Sequence, residues 1–147
     1  LKPAGLGARD LLRLEMGYLL YGNDMGEETT PLEANADWTV SFQKGSFIGS
    51  QALLAQKQAG VARRFVAFEL VEKAVPRHGF RILDPATSQP IGDVTSGNLS
   101  PLLQKGIGLG YVPVRYAEPG SSILIEIRSK SVLATIVKPP FYKRRKA

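Results

Sequence analysis

RRFVAFELVE, residues 63–72, is where the chain changes its period. Phe65, Ala67 and Glu69 alternate with Val66, Phe68 and Leu70 in an apolar run of the kind a mostly buried strand requires. Further short strands are predicted after it, in GFRILD (79–84), IGDVTSG (91–97), GIGLGYVPV (106–114), SSILIEIRSK (121–130) and SVLATIVKP (131–139). Asp84-Pro85, Gln89-Pro90, Gly97-Asn98, Glu118-Pro119-Gly120 and Ser129-Lys130 break them with turn chemistry. Residues 123–128 and 132–137 predict a final hairpin. Strands at this spacing suggest a small antiparallel barrel, jelly-roll-like, or a sandwich.

Residues 1–60 read differently, as a mixed helix and strand segment, so the chain is α+β with an all-β domain over 61–147. Residues 50–58 predict a helix that Gly60 ends. WTVSF (38–42) alternates apolar and polar residues and predicts a strand. Thr30-Pro31 with Glu33 three residues after Thr30 forms a capping box. Residues 7–20 predict an amphipathic helix with Leu11, Leu14 and Tyr18 on one face and Arg9 and Arg13 on another. Asp10 is expected in its first turn, paired with Arg13, with Gly7 and Gly17 at the boundaries. Tyr21-Gly22-Asn23-Asp24 is turn chemistry, and Asp24, Glu27, Glu28, Glu33 and Asp37 read as a solvated acidic loop.

Composition excludes several classes of function. The 44% hydrophobic and 22% charged content is that of an ordinary globular protein, expected to be soluble because no apolar run is long enough to span a membrane. Without cysteine there is no disulfide and no thiolate chemistry, and a single histidine, His78, gives no basis for a multi-histidine metal centre. Of the net charge of +6, Lys143, Arg144, Arg145 and Lys146 supply four units, leaving a body near neutrality. With no arginine-lined helix and no aromatic-rich RNA-binding motif, nucleic acid is not the expected partner. The acidic loop fits no Ca²⁺-binding spacing. GIGLGY lies in a strand pattern and makes no dinucleotide fingerprint, and Ser96 has no acid–base partner at a recognised spacing.

The motifs also stand in an order. GLGARDLLRLEMGYLLYGNDM, then EETTPLEA, FIGSQALLAQKQAG, PRHGF, IGDVTSGNLSPLLQKGIGLGYVP and VKPPFYKR run through nearly the whole chain. In this order they closely resemble the C-terminal part of the aminomethyltransferase (T-protein) family of the glycine cleavage system. The resemblance implies that residues 1–60 belong to a folate-binding region and that the rest is the C-terminal barrel. It implies an enzyme that passes a methylene unit from the aminomethyl-lipoyl arm of H-protein to tetrahydrofolate, releasing ammonia. The acids that handle protons and anchor the pterin belong to the family's N-terminal part. The chain is therefore expected to be a fragment with no catalytic residue and no metal, inactive alone, whose partners are lipoylated H-protein and the N-terminal domains of the same enzyme. A bacterial cytoplasm is the expected compartment, the mitochondrial matrix being compatible as well.

Four residues are candidates for folate binding. Arg9 offers a rigid, permanently charged fork for a carboxylate, or else is an ordinary surface arginine; the resemblance assigns it to folate through the GARD motif. Tyr18 offers a ring to a pterin or aminobenzoate, or else packs in the core. The resemblance also implies Arg144 and Arg145 as candidates that reach back to the site, because the family's extreme C-terminus contributes a side chain there. Two other readings stand beside this one. The same architecture ends folate-dependent sarcosine and dimethylglycine dehydrogenases, and a barrel could also serve as an interaction module with no ligand, marked by an exposed apolar patch.

Overall fold

Six strands close into one antiparallel barrel: β1 (Arg63–Leu70), β2 (Arg81–Leu83), β3 (Pro90–Ser100), β4 (Lys105–Pro113), β5 (Ser122–Ile127) and β6 (Lys130–Val137). Their order around the wall is β1-β4-β3-β2-β5-β6, with β6 returning to β1. Strands β2, β3 and β4 are consecutive neighbours and β1 lies beside β4, which is a Greek key. This computed structural model describes residues 2–143; Arg144 and Arg145 lie outside the described residues.

The alternation in residues 63–72 sorts β1 onto two faces. Val66, Phe68 and Leu70 enter the barrel with Ile82, Val94, Val112, Ile123, Ile125 and Ile136. Phe65 and Ala67 point outward and are buried too, with Ile107, Leu109, Tyr111 and Leu14. Strands covered on both faces read as continuous apolar runs, which accounts for the composition of β1 and β4. The glycines of β4 serve the inner face: a Cβ on Gly108 would sit 2.3 Å from the Phe68 ring.

The predicted break at Gly97-Asn98 does not occur, since β3 runs through both to Ser100. Gly97 is there for close approach, because a Cβ would lie 2.8 Å from the Pro76 carbonyl oxygen. The chain turns instead at residues 101–104, with Gln104 at φ 53°. The final hairpin forms as predicted, Ile127 pairing Lys130 across Arg128 and Ser129, both at positive φ.

Outside the barrel lie two helices, α1 (Leu6–Glu15) and α2 (Ser50–Ala59). Helix α2 matches its prediction, whereas α1 begins before Gly7 and stops five residues short of Leu20. Asp10 consequently falls beyond the first turn, although its pairing with Arg13 holds at 2.7 Å. Gly17, at φ 72°, stops the helix: its N–H donates to the Leu14 carbonyl and that of Tyr18 to the Arg13 carbonyl, a Schellman closure. The strand predicted at 38–42 is a 3₁₀ turn, Asp37–Thr39. A closed barrel offers no free edge for it to join, and the Thr39 hydroxyl and amide both bond locally to the Ala36 carbonyl.

Candidate functional site

Helix α1 lies on the outside of the barrel through one buried apolar residue, Leu14, and one buried acid, Glu15. The Glu15 carboxylate accepts from the Ser100 hydroxyl at 2.6 Å, and its carbonyl accepts from the Phe141 N–H at 2.9 Å. Pro139 sits against Gly17, where a Cβ would come within 2.5 Å of the proline. The segment after β6 thus returns to the end of α1.

The chain then enters residues 18–25, which overturn part of the solvated-loop expectation. Asp24 is fully buried. Its Oδ2 accepts from Arg13 Nη1 at 2.5 Å and from the Leu20 N–H at 2.9 Å, and its Oδ1 accepts from the Thr95 hydroxyl at 2.6 Å. Its carbonyl accepts from the Tyr111 hydroxyl at 2.9 Å. Arg13 is held in turn by Asp10, by Ser96 Oγ at 2.8 Å and by the Tyr18 carbonyl at 3.3 Å. A buried charge of this kind persists because it is paired and fully hydrogen-bonded.

Glu33 departs from the solvated-loop reading as well. The capping box forms, with the Thr30 N–H on Glu33 Oε2 at 3.0 Å and the Glu33 N–H on Thr30 Oγ1 at 3.3 Å. Glu33 Oε1 also accepts from Arg63 Nε at 2.9 Å. Burial pushes the Glu33 carboxyl up, but the Thr30 amide and the Arg63 guanidinium outweigh it and hold the group below its ordinary value. The Arg63 guanidinium lies 5.0 Å from the centre of the Tyr111 ring. Burial, with the Glu33 and Asp24 carboxylates adding to it against Arg63, pushes the Tyr111 hydroxyl up to about 12.

Between these loops and the barrel lies a cleft of about 1000 Å³. Met16, Tyr18, Leu19, Tyr21 and Met25 line one side, Pro31, Ala34 and Trp38 another, with Phe65, Val114, Pro119 and Pro139 on the barrel. Tyr18, Tyr21 and Trp38 are exposed at 61%, 65% and 83%. The lining is mostly apolar, with aromatic rings free on the rim, which suits a flat organic ligand.

Of the residues singled out in the sequence, Tyr18 lies on this cleft, its ring exposed and not in the core. Arg9 is exposed on α1 and does not line the cleft; among the described residues it makes no hydrogen bond or ion pair. Arg144 and Arg145 are outside the described residues. Sequence reading missed Asp24, Thr95, Ser96 and Glu15 as partners of α1 and its loop. The one local signal was Asp24 ending a turn sequence after an arginine-bearing helix. Among the described residues no group of His, Cys, Asp and Glu could hold a metal ion, and no helix is long and apolar enough to cross a membrane.

Comparison with known proteins gives consistent matches. Residues 63–143 match the glycine cleavage T-protein C-terminal barrel domain, and residues 1–44 match the GCVT N-terminal domain. The chain is 54% identical over 139 residues to an aminomethyltransferase of Halothermothrix orenii, covering 95% of this chain and 38% of that protein. It is 54% identical over 144 residues to one of Flavobacterium psychrophilum, covering 98% and 39%. The crystal structure of glycine cleavage system aminomethyltransferase T from Bartonella henselae superposes with a TM-score of 0.88 at 35% identity, over 94% of this chain and 39% of that one. The chain spans about two fifths of the length of these relatives.

Proposed function

The chain belongs to the glycine cleavage T-protein family, and from that premise we propose that it forms one wall of a tetrahydrofolate site in an aminomethyltransferase. The full reaction in this reading passes a methylene unit from aminomethyl-lipoyl H-protein to tetrahydrofolate and releases ammonia. The observation that carries it is Tyr18, an exposed ring on the rim of an apolar cleft of about 1000 Å³.

The residues present fit the ligand. A folate has flat rings, which an apolar, aromatic-rimmed cleft accommodates, and an anionic glutamate tail, which suits a guanidinium. Tyr18, on the cleft, packs against a ring of the ligand, and Arg9, exposed on α1 outside the cleft lining, takes the carboxylate of a tail that extends beyond the cleft. Tetrahydrofolate when bound supplies the nitrogen nucleophile that receives the one-carbon unit. The proton-handling acid lies in the family's N-terminal part, so this chain binds and orients but does not turn over alone. Leu6, Leu12, Trp38 and Ile48, all more than half exposed, support a further partner over residues 1–60, which we assign to the N-terminal domains of the same enzyme.

Titration of tetrahydrofolate into the chain by calorimetry tests this. Arg9→Ala should weaken binding by about 1.5 kcal/mol, the scale of a hydrogen bond to a charged group. Equal affinity in that variant removes Arg9 from the site. No heat at millimolar ligand removes the site from this chain.

A further inference from the structure

Strand β3 departs from regular pairing at one place. Val94 pairs Gly110 and Ser96 pairs Leu109, so Thr95 is an extra residue, a β-bulge. In a regular strand Thr95 and Ser96 would point to opposite faces of the barrel wall. Here Val94 is in the barrel interior, while the next two hydroxyls both reach the outer face. Thr95 Oγ1 donates to Asp24 Oδ1 at 2.6 Å, and Ser96 Oγ accepts from Arg13 Nη2 at 2.8 Å. The bulge therefore supplies one hydroxyl to each member of the ion pair. Bulges that re-aim a side chain recur beside active sites.

Helix α1 does not need this grip, because Leu14, the Glu15–Ser100 hydrogen bond and the Phe141 N–H already hold it to the barrel. The loop after it does. Of residues 18–25 only Asp24 is buried, and the one apolar side chain of the loop packed against the outer cluster is the half-buried Leu19. Its position otherwise rests on polar links: the Asp24 carboxylate accepting the Leu20 N–H and the Thr95 hydroxyl, the Asp24 carbonyl accepting the Tyr111 hydroxyl, the Asp24 N–H donating to the Leu20 carbonyl, the Tyr18 N–H donating to the Arg13 carbonyl, and Arg13 donating to the Tyr18 carbonyl.

We propose that the Thr95 bulge grips the Arg13–Asp24 pair in order to fix Tyr18 on the rim of the cleft, making Asp24 and Thr95 positioning residues for the ligand. The inference rests on the reading of the cleft as the tetrahydrofolate site. It adds that the barrel, through one irregular residue, sets the geometry of that site from outside it.

The test uses the whole chain with Thr95→Val, which removes the hydroxyl at similar volume, and Thr95→Ser, which restores it. Native-state amide exchange by NMR should show Leu20 exchanging about tenfold faster in Thr95→Val, returning in Thr95→Ser, with Phe68 and Leu109 unchanged. Tetrahydrofolate affinity should fall about tenfold in the first variant and recover in the second. Unchanged exchange at Leu20, or a uniform rise that includes the barrel, overturns the proposal. If the unmodified chain binds ligand and Thr95→Val binds equally well, the positioning role is overturned while the cleft reading stands. If the unmodified chain binds no tetrahydrofolate, the cleft reading fails by itself, and the Leu20 exchange rate decides whether the bulge sets Tyr18.

Discussion

The barrel and the sixty residues before it are held by different forces. The barrel is closed and apolar inside, and β1 and β4 are covered on both faces. The earlier region has two ten-residue helices, few buried apolar side chains and several exposed ones. It is joined to the barrel by directional links: Arg13 to Ser96, Glu15 to Ser100, Asp24 to Thr95 and Tyr111, Glu33 to Arg63, and Asn35 to the Phe65 carbonyl. Hydrophobic burial is non-directional and stabilises a body as a whole, whereas hydrogen bonds fix where a particular segment lies. A region placed by polar links keeps Tyr18, Tyr21 and Trp38 exposed.

The comparison can be broken most severely at Phe68. Phe68→Ala should cost about 3–5 kcal/mol, read by urea unfolding, and should loosen both regions together. Survival of the Trp38 environment after the barrel unfolds would show that the first region stands alone. Gly17→Ala tests the seam: a left-handed φ and the contact with Pro139 should cost about 2–3 kcal/mol. Alkali tests the same seam at Tyr111. Its folded value is raised to about 12 from an ordinary 10, so the stability it contributes is complete below pH 10 and is lost as the pH rises toward 12. Thermal unfolding across that window should fall, and Tyr111→Phe should flatten the fall. The smallest effect is expected at Thr30→Ala, about 1 kcal/mol from the hydrogen bonds its hydroxyl makes to Glu33, read by thermal unfolding.

What could be read from the sequence follows the same division. The strands were legible because inward and outward residues alternate locally, as in Val66, Phe68 and Leu70 against Phe65 and Ala67. The capping box at Thr30 and Glu33 was legible for the same reason, its partners being three residues apart. The order of the motifs pointed to the family to which the chain belongs. A barrel was expected, beside a sandwich, from the strand spacing and from the resemblance, and it forms; which strands close it was not legible, since nothing in β1 announces that β6 will pair with it. Residues 38–42 had the alternation of a strand, but every barrel edge was already taken. Asp24 read as solvated because Thr95 and Tyr111 lie far along the chain. Gly97 read as a turn because a glycine required by a neighbour's carbonyl looks the same in one dimension as a glycine required by φ.

The return of the last segment to α1 has a consequence for synthesis. Glu15 accepts the Phe141 amide, and Gly17 leaves the notch that Pro139 fills, so contacts join the end of α1 to the segment after β6. A ribosome delivers the chain in order, and contacts between distant residues wait until both have emerged. The segment carrying Tyr18 is thus made before the strands it rests on and is fixed only after Phe141 has emerged. While β3 to β6 are still being added, Leu14, Glu15 and Asp24 lack the barrel partners they meet in the folded chain.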